Sequence, residues 1–294
     1  MGAAPDLSTA VAGAKRWVQP AWLVPLVVTS VAFAVLFTQP FLLLIDDWWN
    51  NPDAGHGLLL APVAVWLAWK SRDAVPMEPR LASGLVVLGI AVALRLAAGL
   101  AAELFTMRLS MVMALAAVVV CWGGWRRAFA WWLPFVLLGL SVPLPEVIVN
   151  SIALPLQFQA SQMGAALLEG RHVPVRLEGN VISLPGHRLF VTEACSGLRS
   201  LTALISLGVL AGGLWLRRPV SRVALLLTAI PVAVILNGVR VFLTGFLVYF
   251  VDPKLGEGFM HLTEGWLLFV VAFAILGLFA WLLALVENRW HRPA

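Results

Sequence analysis

Charge is what this chain has least of. Of its 294 residues only 12% are charged and 61% are hydrophobic, where soluble domains carry roughly 25% charged residues. Its mean hydropathy is +0.92. A water-soluble fold could not hide this much apolar surface, so hydrocarbon is its solvent. Cysteine is nearly absent, with two residues, Cys121 and Cys195. There is no His-Glu-x-x-His and no Cys-x-x-Cys. Cys195, His56 and His261 could bind zinc, but no paired-ligand spacing supports it, so no metal is expected. No glycine-rich phosphate loop is present, which argues against a nucleotide site, and no cofactor is expected. No internal repeat and no low-complexity segment interrupts the chain.

What is present is a series of apolar runs separated by short basic clusters. A span needs about 20 apolar residues. Eight candidates run roughly Ala21–Ile45, Gly57–Trp69, Leu81–Ala102, Leu109–Trp122, Phe129–Leu144, Cys195–Leu216, Val223–Phe250 and Gly265–Val286. The net charge is +5. The basic residues sit between the runs and form no stripe, so nucleic acid is not an expected partner. Lys15, Arg16, Lys70, Arg72, Arg80, Arg126, Arg127, Arg217, Arg218, Arg222, Arg289 and Arg292 fall on one side. Arg108, Arg171, Arg176, Arg188 and Lys254 fall on the other. This positive-inside bias predicts that both termini are cytoplasmic. The expectation is an all-α polytopic integral membrane protein of about eight transmembrane helices. It comprises a tail over 1–20, a single transmembrane domain over 21–288 and a second tail over 289–294. The first span is read as retained, with no cleaved signal peptide.

The loops that face outward hold most of the unusual residues. The first carries Asp46, Asp47, Asp53 and His56. The third is the longest, spanning 145–193 between the fifth and sixth spans. Ile148 to Leu168 is apolar with Gln and Ser interspersed and reads as an interfacial helix. Val173–Leu177, Val181–Leu184 and Leu189–Val191 read as short strands, joined by turns at Glu178-Gly179-Asn180 and Pro185-Gly186. A small extracytoplasmic β-meander is therefore expected.

On this topology Cys121 and Cys195 lie at opposite faces. A hydrocarbon core about 30 Å thick separates them, and a disulfide needs Cα atoms within about 7 Å. Cys121 reads as a small apolar residue. Cys195 is a lone thiol at the outer start of the sixth span. Thr192 is a candidate N-cap, and a helix N-terminus stabilises a thiolate. Arg199 lies one turn on and can lean back toward the sulfur. Glu193 acts in the opposite sense unless a cation engages it. Two readings stay open on these residues alone: a reactive nucleophile, or an interfacial Cys beside a snorkelling Arg.

Arg240 is the second anomaly. An Arg inside a span is costly unless it faces a polar site. Asn237 is three residues earlier, on the same helix face. Structural use of Arg240, bonded to carbonyls or to Glu, is the alternative; for Arg95 in the third span it is the favoured reading. His261 precedes the eighth span, with Glu264 placed to orient its ring, and His56 precedes the second. His172, His187 and His291 read as loop or tail residues. Cys195, Arg199, Arg240, His261 and His56 all fall at one membrane face, and a thiol, a base and an Arg make a nucleophilic set.

At these residues the sequence resembles the exosortase/archaeosortase family. The resemblance is carried by Glu193-Ala194-Cys195-Ser196-Gly197-Leu198-Arg199-Ser200, by Asn237-Gly238-Val239-Arg240-Val241, and by Gly258-Phe259-Met260-His261 leading into Gly265-Trp266-Leu267. Ala54-Gly55-His56-Gly57, Pro143-Leu144-Pro145 and Glu178-Gly179-Asn180-Val181-Ile182 add to it. It spans about residues 40 to 285. The resemblance implies a catalytic set of Cys195, Arg240 and His261, with Arg199, His56, Asn237, Glu193 and Glu264 supporting it or binding substrate. It implies exported protein substrates bearing a C-terminal tripartite signal: a Pro-Glu-Pro-like motif, a transmembrane helix and a basic tail. Cleavage through a Cys195 acyl-enzyme, then transfer to an acceptor nucleophile, would follow at the outer face of a bacterial inner membrane. The run after the His, Leu262-Thr263-Glu264-Gly265-Trp266, departs from the aromatic-Ser-Gly-Trp of many exosortases. The rival readings are a transporter and a non-enzymatic envelope or exopolysaccharide assembly factor. The first expects midplane sites between repeated halves, which the sequence lacks.

Overall fold

The computed structural model describes residues 20–51, 53–191, 198–252 and 258–290. Among these residues the chain forms helices α1 (Pro20–Asn50), α2 (Gly57–Lys70), α3 (Leu81–Leu100), α4 (Leu104–Ala130), α5 (Trp132–Leu140) and α6 (Glu146–Glu169). A three-stranded sheet follows, then α7 (Leu198–Trp215), α8 (Pro219–Phe250) and α9 (Gly258–Trp290). Among the described residues, five helices are long and apolar enough to cross a bilayer: Val31–Asn50, Leu81–Leu100, Leu104–Ala130, Pro219–Phe250 and Trp266–Arg289. The chain is a mostly helical, multi-pass membrane protein. Two other expected spans are shorter. At 1.5 Å per residue, the 14 residues of α2 and the 9 of α5 cover only about 21 and 14 Å of a core roughly 30 Å thick. The expected tails, residues 1–19 and 291–294, lie outside the described residues.

Helix ends fall where backbone chemistry puts them. Gly124 has φ +78°, a left-handed conformation that ends an α-helical run. The carbonyls of the turn before it lose their intrahelical donors. Glu78 N–H donates to Gly123 O and Arg80 N–H to Val120 O, both at 3.3 Å. A side chain at Gly124 would collide with the Glu78 carbonyl, 2.1 Å from the Cβ position. The loop before α3 therefore seals the first segment of α4. Arg126 pairs with Glu78 at 2.9 Å and Arg127 donates to Val75 O at 2.6 Å.

α5 is half a span wedged between neighbours. Leu133 and Leu137 pack with Leu60, Ala64 and Leu67 of α2 and with Val209 and Leu210 of α7. Pro143 and Pro145 stop the run expected to continue to Leu144, because the residue before a proline is driven out of the α region.

The C-terminal half is a three-helix bundle, α7–α8–α9. On α8, Leu225, Ala229, Ala233 and Asn237 recur every four residues and are all buried. The first three meet Leu204 of α7, Leu216 just past its end, and Ala272, Leu276 and Ala280 of α9. Small residues let membrane helices approach closely. The α7–α8 corner is fixed from both sides. Glu287 of α9, 6% exposed, accepts from the Arg217 and Arg218 amides at 2.9 and 3.1 Å. Arg222 donates to Gly212 O and Leu216 O, carbonyls at the end of α7.

α6 packs along the C-terminal half of α8. A Cβ at Gly164 would lie 2.5 Å from Val241 Cγ1, and one at Gly238 would lie 2.8 Å from Met163 Cβ. Above this crossing stand β1 (Arg176–Glu178), β2 (Val181–Leu184) and β3 (His187–Phe190), antiparallel in the order β1-β2-β3. The turns are where the sequence places them, with Gly179 at φ +64° and Gly186 at φ +80°. Ile182, Leu184 and Val191 join Ala160 and Leu168 of α6 and Val241 and Val248 of α8 in one core.

The start of α4 is capped by charge. Glu103 accepts from the Phe105 and Thr106 amides at 2.9 and 2.7 Å. The Thr106 hydroxyl, those amides and the nearby Arg108 hold its carboxyl below the usual carboxylate range against a smaller opposing effect of burial. Folding lowers this pKa, so the cap stabilises above the unfolded value and fades as pH falls through the lower folded one. Glu103→Ala should cost about 1 kcal/mol at neutral pH. The gap from wild type should close below about pH 4. Unfolding in detergent across a pH series measures it; a gap unchanged by pH would assign the loss to packing.

Candidate active site

Asn237 and Arg240 sit on α8 where its small-residue seam ends. Beyond Ala233 the helices diverge around a small cavity lined by Ser200 and Leu204 of α7, Ala233, Leu236, Asn237 and Arg240 of α8, and Leu268, Phe269 and Ala272 of α9. The polar members are Ser200, Asn237 and Arg240. Asn237 is 7% exposed and Arg240 is half-buried. Their three-residue spacing puts both on the cavity face. One turn on, the Thr244 hydroxyl donates to Arg240 O at 3.0 Å. A guanidinium in such an apolar-walled space acts at low dielectric, where its field on a developing negative charge is strong.

The other expected site residues are distributed as follows. Thr192, Glu193 and Cys195 lie outside the described residues. Arg199 is in the first turn of α7, and His261 and Glu264 are in the first turns of α9, whose backbones are described; their side chains are outside the description. Leu268 is seven residues past His261, which puts His261 roughly 10 Å along α9 toward its start. Ser200 was not among the residues singled out by sequence. Its signal was the four-residue spacing to Leu204 on the face that meets α8.

His56 does not line this cavity. It stands just before α2, with Nε2 3.1 Å from Leu140 O at the end of α5. A carbonyl only accepts, so the ring carries its proton on Nε2. Next to it, Trp48 Nε1 donates to Ser141 O at 2.7 Å. Gly57 lies against that indole, 2.1 Å from Nε1 at its Cβ position, which explains a glycine there. The α1–α2 corner thus supplies donors to the open carbonyls of the short α5.

Two other charges resolve as scaffold. Arg95 donates through Nε to Leu36 O at 3.0 Å. Pro40 lies four residues later and has no N–H to give that carbonyl, so Arg95 replaces a missing helix bond, as its structural reading expected. Arg108, read as an outer-loop residue, is instead on α4 and 3% exposed, with Nη2 2.6 Å from Asp47 Oδ2. Asp46 and Asp47 belong to the last turn of α1, not to a loop. The signal was an acid and a base at the same outer level of two apolar runs. Cys121 packs against Gly84 at the α3–α4 crossing, its Sγ 2.4 Å from the Cβ position there, in keeping with a small apolar role.

A family model described as transmembrane exosortase (Exosortase_EpsH) matches residues 48–278. The chain belongs to the transmembrane exosortase family. No curated protein and no solved structure matches it significantly. In this exosortase the matched region begins at Trp48, on the corner that caps α5, and ends within α9. It takes in the sheet, the cavity and every site residue named from the sequence.

His56→Ala in this exosortase should lower stability by about 1 kcal/mol, the value of one hydrogen bond. His56→Gln, whose amide can reach the same carbonyl, should retain part of it. Thermal unfolding in detergent checks both; an unchanged Tm for His56→Ala would remove His56 from the α5 cap.

Proposed function

We propose that this exosortase is a membrane-embedded cysteine protease and transpeptidase that cleaves a C-terminal sorting signal on exported proteins. The observation that carries the reading is the shared cavity of Arg240, Asn237 and Ser200. Ser200 is five residues past Cys195, so covalent reach keeps their Cα atoms within roughly 18 Å. Family membership supplies the chemistry the cavity fits.

The proposed reaction starts with substrate docked so that its scissile carbonyl faces Arg240. The Cys195 thiolate attacks the carbonyl carbon, and Arg240 stabilises the oxyanion that forms. The C–N bond breaks, and His261 gives its proton to the leaving amine. A thioester then links the substrate to Cys195. An acceptor amine, a lipid nucleophile or water attacks it, loses its proton to His261 and expels the thiolate. Each cycle exchanges one peptide bond for one bond to the acceptor and returns every group to its starting state. Asn237 positions Arg240 from one turn away, Arg199 supports the thiolate, and Glu264 orients the His261 ring. Eight spans with cytoplasmic termini would set this chemistry at the periplasmic face of the inner membrane.

The test is co-expression with a reporter bearing a Pro-Glu-Pro-like motif, a transmembrane helix and a basic tail. Cys195→Ser should leave the reporter full-length while the protein stays inserted. Arg240→Lys should slow processing roughly 100-fold, and His261→Ala at least ~100-fold. Gel mobility and the mass of the new C-terminus measure the outcome and identify the acceptor. Normal processing by Cys195→Ser would refute the reading.

A further inference from the structure

β3 has an open side. The sheet order is β1-β2-β3, so among the described residues no strand pairs with the outer edge of β3. The backbone groups on that edge follow from the register. Val181 pairs with Phe190, Ser183 with Arg188 and Leu184 with His187. Val191 N–H donates to Asn180 O at 2.9 Å, so Val191 turns its backbone toward β2. Antiparallel strands alternate between bonded and non-bonded pairs. His187, Leu189 and Val191 therefore bond inward, while Arg188 and Phe190 turn N–H and C=O outward. Their side chains share the exposed face, opposite the buried Ile182 and Leu184, and Phe190 is 63% exposed.

This edge is charged, and its strand packs on the half of α8 that carries Arg240. On β1, Arg176 is paired with Glu178 at 2.7 Å. Among the described residues Arg188 makes no ion pair, so β3 presents a net positive charge. Leu189 Cδ1 lies 3.4 Å from the Cβ position at Gly245 of α8. Arg240 is five residues back on the same helix, roughly 7–8 Å along its axis. The chain leaving β3 reaches Cys195 five residues after Phe190.

We propose that the outer edge of β3 binds the substrate as an added strand, Arg188 and Phe190 bonding its backbone and the Arg188 guanidinium taking an acidic side chain beside the scissile bond. Strand addition lets main-chain bonds supply affinity and alternate side chains supply selectivity. It holds the peptide extended, with its carbonyls exposed to a nucleophile. The inference rests on the proteolytic reading for its role in turnover, but binding at the edge can be measured without turnover.

The experiment uses the full chain and the tripartite reporter, with one Glu in its motif. Phe190→Pro removes an outward N–H and leaves the β2–β3 ladder intact; Phe190→Ala controls for the ring. Phe190→Pro should process the reporter about tenfold more slowly than Phe190→Ala, the worth of one strong hydrogen bond. Arg188→Glu should slow it by about the same factor, and a reporter with Glu→Lys should restore the rate. Equal rates for the two Phe190 variants, or an Arg188→Glu defect that charge reversal does not relieve, would overturn the inference. If wild type leaves the reporter intact, the catalytic reading fails by itself. A photocrosslinker at position 188, compared with position 176 on β1 in Cys195→Ala protein, then decides the edge. Reporter adducts from 188 alone support it, while none, or adducts only to a second copy of this chain, overturn it.

Discussion

Close approach along α8 is the constraint on which the rest of the molecule depends. Lipid tails are as apolar as leucine, so membrane helices gain little from hydrophobic exclusion and associate through contact. α8 carries small residues on more than one face. Ala229 and Ala233 admit α7 and α9, Gly238 and Gly164 let α6 cross, and Gly245 receives Leu189 of the sheet. Each partner brings a segment that bears on function. α7 follows Cys195 in the chain, α9 carries His261 in its first turns, and α6 supports the meander. One helix with little side-chain bulk thus gathers three remote stretches of sequence.

Several polar side chains in the apolar part complete a backbone that is open. Arg95 supplies the bond that Pro40 cannot. Arg222 and Glu287 close the two ends of the α7–α8 corner. His56 and Trp48 close the end of α5. The physical cause is common to all of them: an unsatisfied amide or carbonyl in hydrocarbon costs several kcal/mol. Asn237 and Arg240 line a cavity instead, which sets them apart from the scaffold charges. The two kinds of polar residue look alike in sequence, because both are single charges inside apolar runs.

The helices, the meander and its two glycine turns were legible because their signals are local. Apolar length, turn residues and strand alternation act over a few neighbours. The pairing of Asn237 with Arg240 was legible for the same reason, since three residues on a helix define one face. The end of α5 was written locally in Pro143 and Pro145; how α2 and α7 flank the segment was not. Arg108 was placed in a loop because its partner Asp47 is some sixty positions away in the chain. The grouping of His56 with the nucleophilic set rested on depth in the membrane; Cys195 and the His261 side chain lie outside the described residues.

By itself the sequence determined that this chain lives in a membrane, which segments are helical, and which thiol, guanidinium and imidazole are candidates for chemistry. Composition, periodicity and motif order are properties of the chain read along its length. The tertiary structure alone decided which polar residues share a cavity, which ones cap a helix end, and which strand edge stays unpaired among the described residues. Those are relations across the bundle, fixed by how closely α8 lets its neighbours approach, and no window of sequence contains them.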